Sequence, residues 1–490
     1  MAVACGEGFT AAVMEKGDLW SFGKGAYGQL GLGTDADQLL PALVGGADEV
    51  FDGEAVVMVA AGHEHAACVT AKGKLWTWGN GGFGQLGHGG REPKQCPTRL
   101  GKEMYGGWPA VMVSCGDNHT LVLTAVDCVS PAVWSCGWGL HGQLGHGDTA
   151  DKLVLTLVGA EGFGGVQIAM VAAGGSHSVA LGADGRVWAW GWGEYGQLGH
   201  NDEENRLVPT LLAGQALGGA AAVLVVAGGY HTVAVTIQGE LWVWGSGSLG
   251  QLGLGDEANR LEPTLVGAEE AFGELQVLTV SCGHFHTLAV TKDGTLWTFG
   301  HGHQGALGHN DRNDRLVPTR IEAQHFGNSK IVSVACACGT LHSAAVTEQG
   351  TLYTWGRALG LGHAHGEGRL VLVPTRIAPS LLKGARVGRC HNLPSMHALA
   401  FAMGTHARLG SVAPTAAAAG GSSQRRSQRQ QGKAPAVADN GKDCEYVTMP
   451  GELVQRVVEA CVSWPEGRAG ELQGVVRLLG GGMMETRRST

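Results

Sequence analysis

The 490-residue sequence predicts an all-β fold, a seven-bladed β-propeller of four-stranded antiparallel blades, on three observations. A WG step, with Phe or Cys sometimes in place of Trp, falls at Phe22, Trp78, Cys136, Trp190, Trp244, Phe299 and Trp355, at intervals of 56, 58, 54, 54, 55 and 56 residues. The runs before each step alternate with period two, which is the side-chain period of a strand. Glycine, 83 of 490 residues, recurs at fixed offsets beside aromatic and β-branched residues, as in tight turns between short strands. A chain of this length would ordinarily suggest two or more domains. A fixed period overrides that expectation, because each unit buries its apolar faces against its neighbours.

The unit reads most clearly from Gly228 to Val266, GGYHTVAVTIQGELWVWGSGSLGQLGLGDEANRLEPTLV. His231–Thr236 alternates larger and smaller residues, and Glu240–Trp244 returns after a turn at 237–239, so the pair forms a hairpin. The same hairpin recurs at 65–79 and 286–300. The glycine-rich 247–253 is a loop that needs positive φ or close backbone approach. Pro263-Thr-Leu-Val is a short strand whose proline suits a sheet edge, and Leu275–Cys282 supplies a further strand before the next His. Four strands per unit, repeated radially, make a propeller. The period of about 55 is too long for leucine-rich or ankyrin repeats, and the copies lack the apolar-periodic helices of helical solenoids.

Two irregularities stand out. In the third copy His119 to Trp134 is 15 residues where His65 to Trp76 is 11, so a projecting turn containing Ser130 and Pro131 is expected at one blade tip. There are also seven LWxWG arms but eight of the strands that precede them. The first copy, ACGEGFTAAV, has Phe9 where His belongs, and the last retains His397. The two ends are expected to lie side by side, with one of them sealing the ring.

The propeller is expected to cover 1–403. Residues 404–446, with AAAAGGSS and QRRSQRQQGK, have the composition of a disordered linker. In 447–490 an amphipathic pattern at Leu453, Val454, Val457, Val458 and Cys461 predicts a short helical tail, or the truncated start of a further domain. Formal charge is −9 overall; from Gly404 onward 11 Lys and Arg against 8 Asp and Glu give +3, which leaves −12 for the repeats. An acidic body argues against direct nucleic-acid binding, where Lys and Arg must replace condensed counterions, and leaves room for a basic partner. Twelve cysteines are too dilute for a disulfide scaffold, and Cys5, Cys115, Cys282 and Cys336 recur at one strand end suited to reduced, buried thiols. No leader peptide or membrane span is expected, so the reading is a soluble protein of cytoplasm or nucleus.

The combination VxCGxxHTxAVTxxGxLWxWGxxxxGQLGxG followed by PTxV resembles the regulator of chromosome condensation repeat family, over about residues 1–403. GQLG stands at Gly28, Gly84, Gly142, Gly196 and Gly250, with GALG at Gly305. The resemblance implies a seven-bladed propeller, and it fixes fold more firmly than function.

Recurrence decides how the prominent residues are read. His65, His119, His177, His231, His286 and His342 stand once per copy at one strand position, which is what a repeated structural hydrogen bond gives. Trp78, Trp190, Trp244 and Trp355 are read as blade-filling rings. Pairs such as His63 and His65, His284 and His286, or His301 and His303 would bind a metal only if a further ligand converged, and no such ligand has diagnostic spacing; neither metal nor cofactor is expected. The plant UV-B receptors of the resembling family carry a GWRH-like step, whereas the corresponding steps here, GHEH, GDNH, GGSH, GGYH, GHFH and GTLH, hold neither Trp nor Arg.

The candidate interaction loops are the D-x-x-N/D-R runs, with Asp202 and Arg206, Asp256 and Arg260, and Asp311 and Arg315. The competing reading of those pairs is salt-bridged closure of each loop. Function is therefore read as a non-catalytic protein-interaction scaffold or regulatory adaptor. The resemblance implies two alternatives: a guanine-nucleotide exchange factor for a Ran-type small GTPase, and a substrate-binding fragment of a ubiquitin ligase. The partner is a protein of unknown identity, with a small GTPase or ubiquitin machinery as the classes that these alternatives name.

Overall fold

The computed structural model describes residues 1–45, 50–125, 132–267, 272–273, 275–337, 342–363 and 370–382. The chain divides into two units, Met1–Ser411 and Val412–Thr490, and every described residue lies in the first. The expected projection with Ser130 and Pro131, the linker, the tail and the eighth strand copy at His397 fall outside the described residues.

Seven four-stranded antiparallel sheets follow one another, each with its strands hydrogen-bonded in chain order. Blade five consists of Ala222–Ala227, His231–Thr236, Leu241–Gly245 and Arg260–Leu265. Its hairpin pairs Thr232 with Trp244 and Ala234 with Trp242. The strand ahead of each His thus opens its own blade rather than closing the previous one. His231–Thr236 is buried along its whole length because neighbouring sheets cover both its faces, and this explains a run that is apolar or small at almost every position. Pro263 lies in the outermost strand, where a missing N–H costs no ladder bond.

The first strands of successive blades touch around the ring, and the first strand of blade seven touches that of blade one. Blade one is built wholly from Ala2–Gly6, Phe9–Val13, Leu19–Gly23 and Gln38–Leu43. Among the described residues the N-terminal strand meets blade seven where the ring closes, through a parallel bridge from Cys5 to Ala337. No strand is exchanged, among the described residues, between the blades that meet there.

A repeated polar link joins the blades. His65 Nε2 lies 2.9 Å from Thr120 Oγ1, His119 3.0 Å from Ser178 Oγ, His177 2.9 Å from Thr232, His231 2.9 Å from Thr287, His286 3.0 Å from Ser343 and His342 3.0 Å from Thr10. Each hydroxyl donates its own hydrogen to a loop carbonyl, as Thr232 does to Gln197 at 2.8 Å and Thr10 to Gly360 at 2.7 Å. The hydroxyl must therefore accept from the imidazole, which assigns the proton to Nε2 and leaves Nδ1 of His65, His119, His177, His231 and His286 without a partner among the described residues. Burial holds His65, His177, His231 and His286 down to about 3, and His119 and His342 to about 4, so all six are neutral at pH 7.

The seventh link is missing by a matched pair of changes. At the joint of blades one and two, Phe9 stands in the His place and Ala66 in the Thr place. Phe9 presses on Gly6 as His65 presses on Gly62, leaving no room for a Cβ in either case. Both partners being apolar, no polar group is stranded.

Trp78, Trp190, Trp244 and Trp355 are fully buried at the same joints. The indole N–H of Trp78, Trp190 and Trp355 donates to Gln29, Gln143 and Ala306 carbonyls in the preceding GQLG or GALG loop, at 2.8–2.9 Å. The last loop glycine is obligatory for that approach: Gly145 has φ 80°, and a Cβ there would sit 2.9 Å from Trp190 Nε1. Single-turn 3-10 helices at 102–105, 160–163 and 323–326 tuck Tyr105, Phe163 and Phe326 into the core at the far end of the ring. Cys5, Cys115 and Cys282 are buried without disulfides, and burial pushes the Cys5 and Cys115 thiols up to about 12.

Candidate functional site

Three loop positions per blade converge on one end of the ring: the turn before each His, the residue after the WG step, and the GQLG loop with the run that follows it. This end is called the GQLG face below. The sequence places the D-x-x-N/D-R runs on it, and the structure shows how they are closed. Arg206 reaches Asp202 at 2.5 Å, Arg260 reaches Asp256 at 2.7 Å and Arg315 reaches Asp311 at 2.6 Å, all four residues apart. The other Asp oxygen accepts a backbone N–H two residues on, from Glu204, Ala258 or Asn313, at 3.0 Å. Asn205, Asn259 and Asp314 in turn accept from Gly193, Gly247 and Gly302. Each paired charge thus ties its own loop at the rim.

At the centre, the residue two before each His differs between blades. Blades one, two, three and six carry Glu7, His63, Asp117 and His284; blades four and five carry Gly175 and Gly229. His284 Nε2 meets Asp117 Oδ1 at 2.9 Å, from blade six to blade three. Its ring also stacks at 6.4 Å on His63, whose Nδ1 lies 3.4 Å from Glu7. The two glycines make this crossing possible, since a Cβ on Gly229 would lie 2.5 Å from His284 Cδ2. Burial alone would lower His284, but the Asp117 charge and hydrogen bond raise it above its ordinary value. Burial would likewise raise Asp117, and His284 holds it below the usual carboxylate range.

Among the described residues Glu7, His63 and Glu64 bring three ligand atoms within 4.8 Å of one another, a convergence that the sequence spacing did not show. Lys24 Nζ already sits 3.1 Å from Glu7 and 3.3 Å from Glu64, so a metal there would have to displace an ammonium. His65 and His286 turn into the blade joints, away from His63 and His284.

Between centre and rim runs an arc of aromatic rings. Phe83 lies 5.7 Å from Trp138, Trp138 5.2 Å from His141, and His141 stacks at 5.3 Å on Trp192. Trp192 meets Tyr195 at 5.2 Å and Tyr230 at 5.7 Å, and Tyr230 stacks on Phe285 at 5.3 Å. The arc spans blades two to six; Phe83 is exposed, and the rings from Trp138 to Phe285 are half-buried. Sequence reasoning assigned the tryptophans to the hairpin arms and passed over Trp138 and Trp192. Their signal was position: they follow the WG step, where other copies carry Lys24, Asn80, Ser246 and His301.

Residues 1–279 match the family model described as the RCC1-like domain, and residues 277–306 and 293–346 match models of the regulator of chromosome condensation repeat. The ultraviolet-B receptor UVR8 of Arabidopsis thaliana is 39% identical over 301 residues, which is 61% of this chain and 65% of that protein. The E3 ubiquitin-protein ligase HERC2 of Homo sapiens is 31% identical over 410 residues, 82% of this chain and 8% of that protein. The chain spans less than two thirds of either relative. Among solved structures, human WBSCR16 is 28% identical with a TM-score of 0.60, covering 69% of this chain and 84% of that one. Prp20p of Saccharomyces cerevisiae is 23% identical with a TM-score of 0.63 over 74% of this chain and 86% of that one, a likeness of fold.

Proposed function

This chain belongs to the RCC1-like domain family, and from that premise we propose that it is a non-catalytic protein-interaction platform whose partner docks on the GQLG face over blades two to six. The observation that carries this reading is the aromatic arc from Phe83 to Phe285. Blade packing accounts for Trp78, Trp190 and Trp355, which are fully buried and bonded to loop carbonyls. It does not account for Trp138, Trp192 and Tyr230, which stand part-exposed on loops. Large rings held on a rigid scaffold are the residues that dominate protein interfaces, since they bury much area at little entropic cost. The Asp–Arg pairs at the rim would then set the height and stiffness of the surrounding loops.

The test is proximity labelling by the full chain, wild type against Trp138→Ala/Trp192→Ala, with Ile237→Ser at the opposite end of blade five as control. Loss of a defined set of neighbours in the arc variant alone, with an unchanged circular-dichroism spectrum, is the expected result. An interactor set that survives in the arc variant and disappears with Ile237→Ser would refute the reading. The solved relative Prp20p is described with its binding to Gsp1p and histones. If the full chain accelerates nucleotide release from a Ran-type GTPase, the platform belongs to the exchange class.

A further inference from the structure

The arc is bordered by carboxylates that no cation answers. On the loops of blades three to five Lys152 is held by Asp148 at 2.8 Å, Arg206 by Asp202 and Arg260 by Asp256, and Arg91 reaches from blade two to Asp151 at 3.0 Å, which leaves Lys94 on blade two and Arg312 on blade six as further cations at the two ends of the arc. Glu194, Glu203, Glu204 and Glu257 are exposed on the same loops and have no cationic partner among the described residues. Glu194 accepts the Trp192 indole N–H at 3.2 Å, which fixes a negative charge at the edge of that ring. His141 stacks on Trp192, and burial lowers its tendency to carry a proton.

Electron-rich ring faces beside unanswered carboxylates form a site for organic cations. A guanidinium is drawn to the ring quadrupole and, being planar and weakly hydrated, stacks on it while its N–H groups bond carboxylate oxygens. Resting on the reading of this face as a docking surface, we propose that its occupant is an extended, arginine-bearing segment of a partner protein, lying along Trp138, Trp192, Tyr195 and Tyr230 with its cations met by Glu194, Glu203, Glu204 and Glu257. The rings follow one another from blade to blade, so the segment runs around the channel mouth rather than into it. A second copy of this chain is a poor occupant, because a two-fold contact would set the same uncompensated carboxylates against each other.

The experiment titrates the full chain into two labelled peptides by fluorescence anisotropy, one alternating arginine and glycine, the other with every arginine replaced by glutamine. The arginine peptide binds, and the glutamine peptide binds at least roughly tenfold more weakly if a desolvated cation–π contact and one paired charge are lost. Trp192→Ala weakens the arginine peptide by roughly 3- to 30-fold, the range expected for a single cation–π partner. Glu203→Gln/Glu204→Gln weakens it at low salt, and the difference closes as added salt shortens the screening length.

Equal binding of the two peptides, or binding untouched by Trp192→Ala, overturns the proposal. If the peptides fail while Trp138→Ala/Trp192→Ala still abolishes labelling of its neighbours, the docking face stands and only the basic occupant falls. If neither responds, both fall. Tighter peptide binding by the full chain carrying Arg425→Gln, Arg426→Gln and Arg429→Gln would show that the chain's own basic run fills the surface, which also overturns the assignment to a separate partner.

Discussion

Replacing Phe9 by His tests the logic of the blade joints. Six joints carry an imidazole N–H donating to a hydroxyl, and the joint of blades one and two carries Phe9 against Ala66. Phe9→His alone gives up a fully buried ring, about 1.5–3 kcal/mol, and strands a buried N–H, about 1–3 kcal/mol more. Ala66→Thr alone finds an acceptor ready, because the Gln29 carbonyl stands where Gln85 and Gln143 carbonyls take a hydroxyl at 2.8 Å. Its cost is crowding against Phe9, about 1–3 kcal/mol. The double variant rebuilds the link present at the other joints, so the two changes should couple favourably by about 1–3 kcal/mol. Urea unfolding of the four proteins, followed by tryptophan fluorescence, gives the coupling from the midpoints. Additivity within about 0.5 kcal/mol, the ordinary behaviour of independent sites, would refute the claim that Phe9 and Ala66 are a matched replacement.

Acid should unfold the propeller steeply. The six joint histidines titrate near 3 to 4 when folded and near 6.5 when unfolded, so the unfolded chain binds more protons and stability is lost as pH falls below about 6.5. Near pH 5.5 the six together should give a slope of about 7–8 kcal/mol per pH unit, readable from urea midpoints, and a slope near one proton would contradict neutral joints. The Asp117–His284 bridge works over a window. Asp117 is lowered, so its share is lost at acid pH; His284 is raised, so its share is present below about 6.5 and lost as pH rises through its folded value. Asp117→Asn should therefore destabilise most between about pH 4.5 and 6.5, with the difference from wild type shrinking toward pH 9 in thermal melts, whereas a pH-independent difference would show that the bridge is not ionic.

What the sequence displayed and what it concealed follow from how far apart the cooperating residues lie. Blade number, strand content and the edge proline were legible because each depends on residues within one copy. The irregular first copy was legible as a misfit at Phe9, but its explanation, Ala66, was not: a small residue in a buried strand is unremarkable until its neighbour from the previous blade is known. The crossing of the ring mouth joins residues 167 apart, and in the sequence it shows only as unlike fillings of the GxxH step. The arc escaped notice because it is assembled from three different loop positions, after WG, before GQLG and before His, which only the curvature of the ring brings into line. The Asp–Arg runs were visible as a motif, and four-residue spacing alone could not say that each pair ties its own loop.

Blade one is held differently on its two sides. Toward blade seven it has Thr10 bonded to His342 and to Gly360, and the short bridge at Cys5; toward blade two the His–hydroxyl link gives way to the apolar fit of Phe9 and Ala66, flanked by the Trp78 indole on the Gln29 carbonyl, the Glu7 N–H on the His63 carbonyl and Lys24 on Glu64. Among the described residues no strand is shared at either place, so parting the circle there would leave every described sheet with its own ladder. The propeller is in this sense a clasped bracelet rather than a woven one. Parting blades one and two would have to pull Glu7 and Lys24 away from His63 and Glu64, so the clasp is fastened by charge at the mouth of the ring as well as by apolar fit within it.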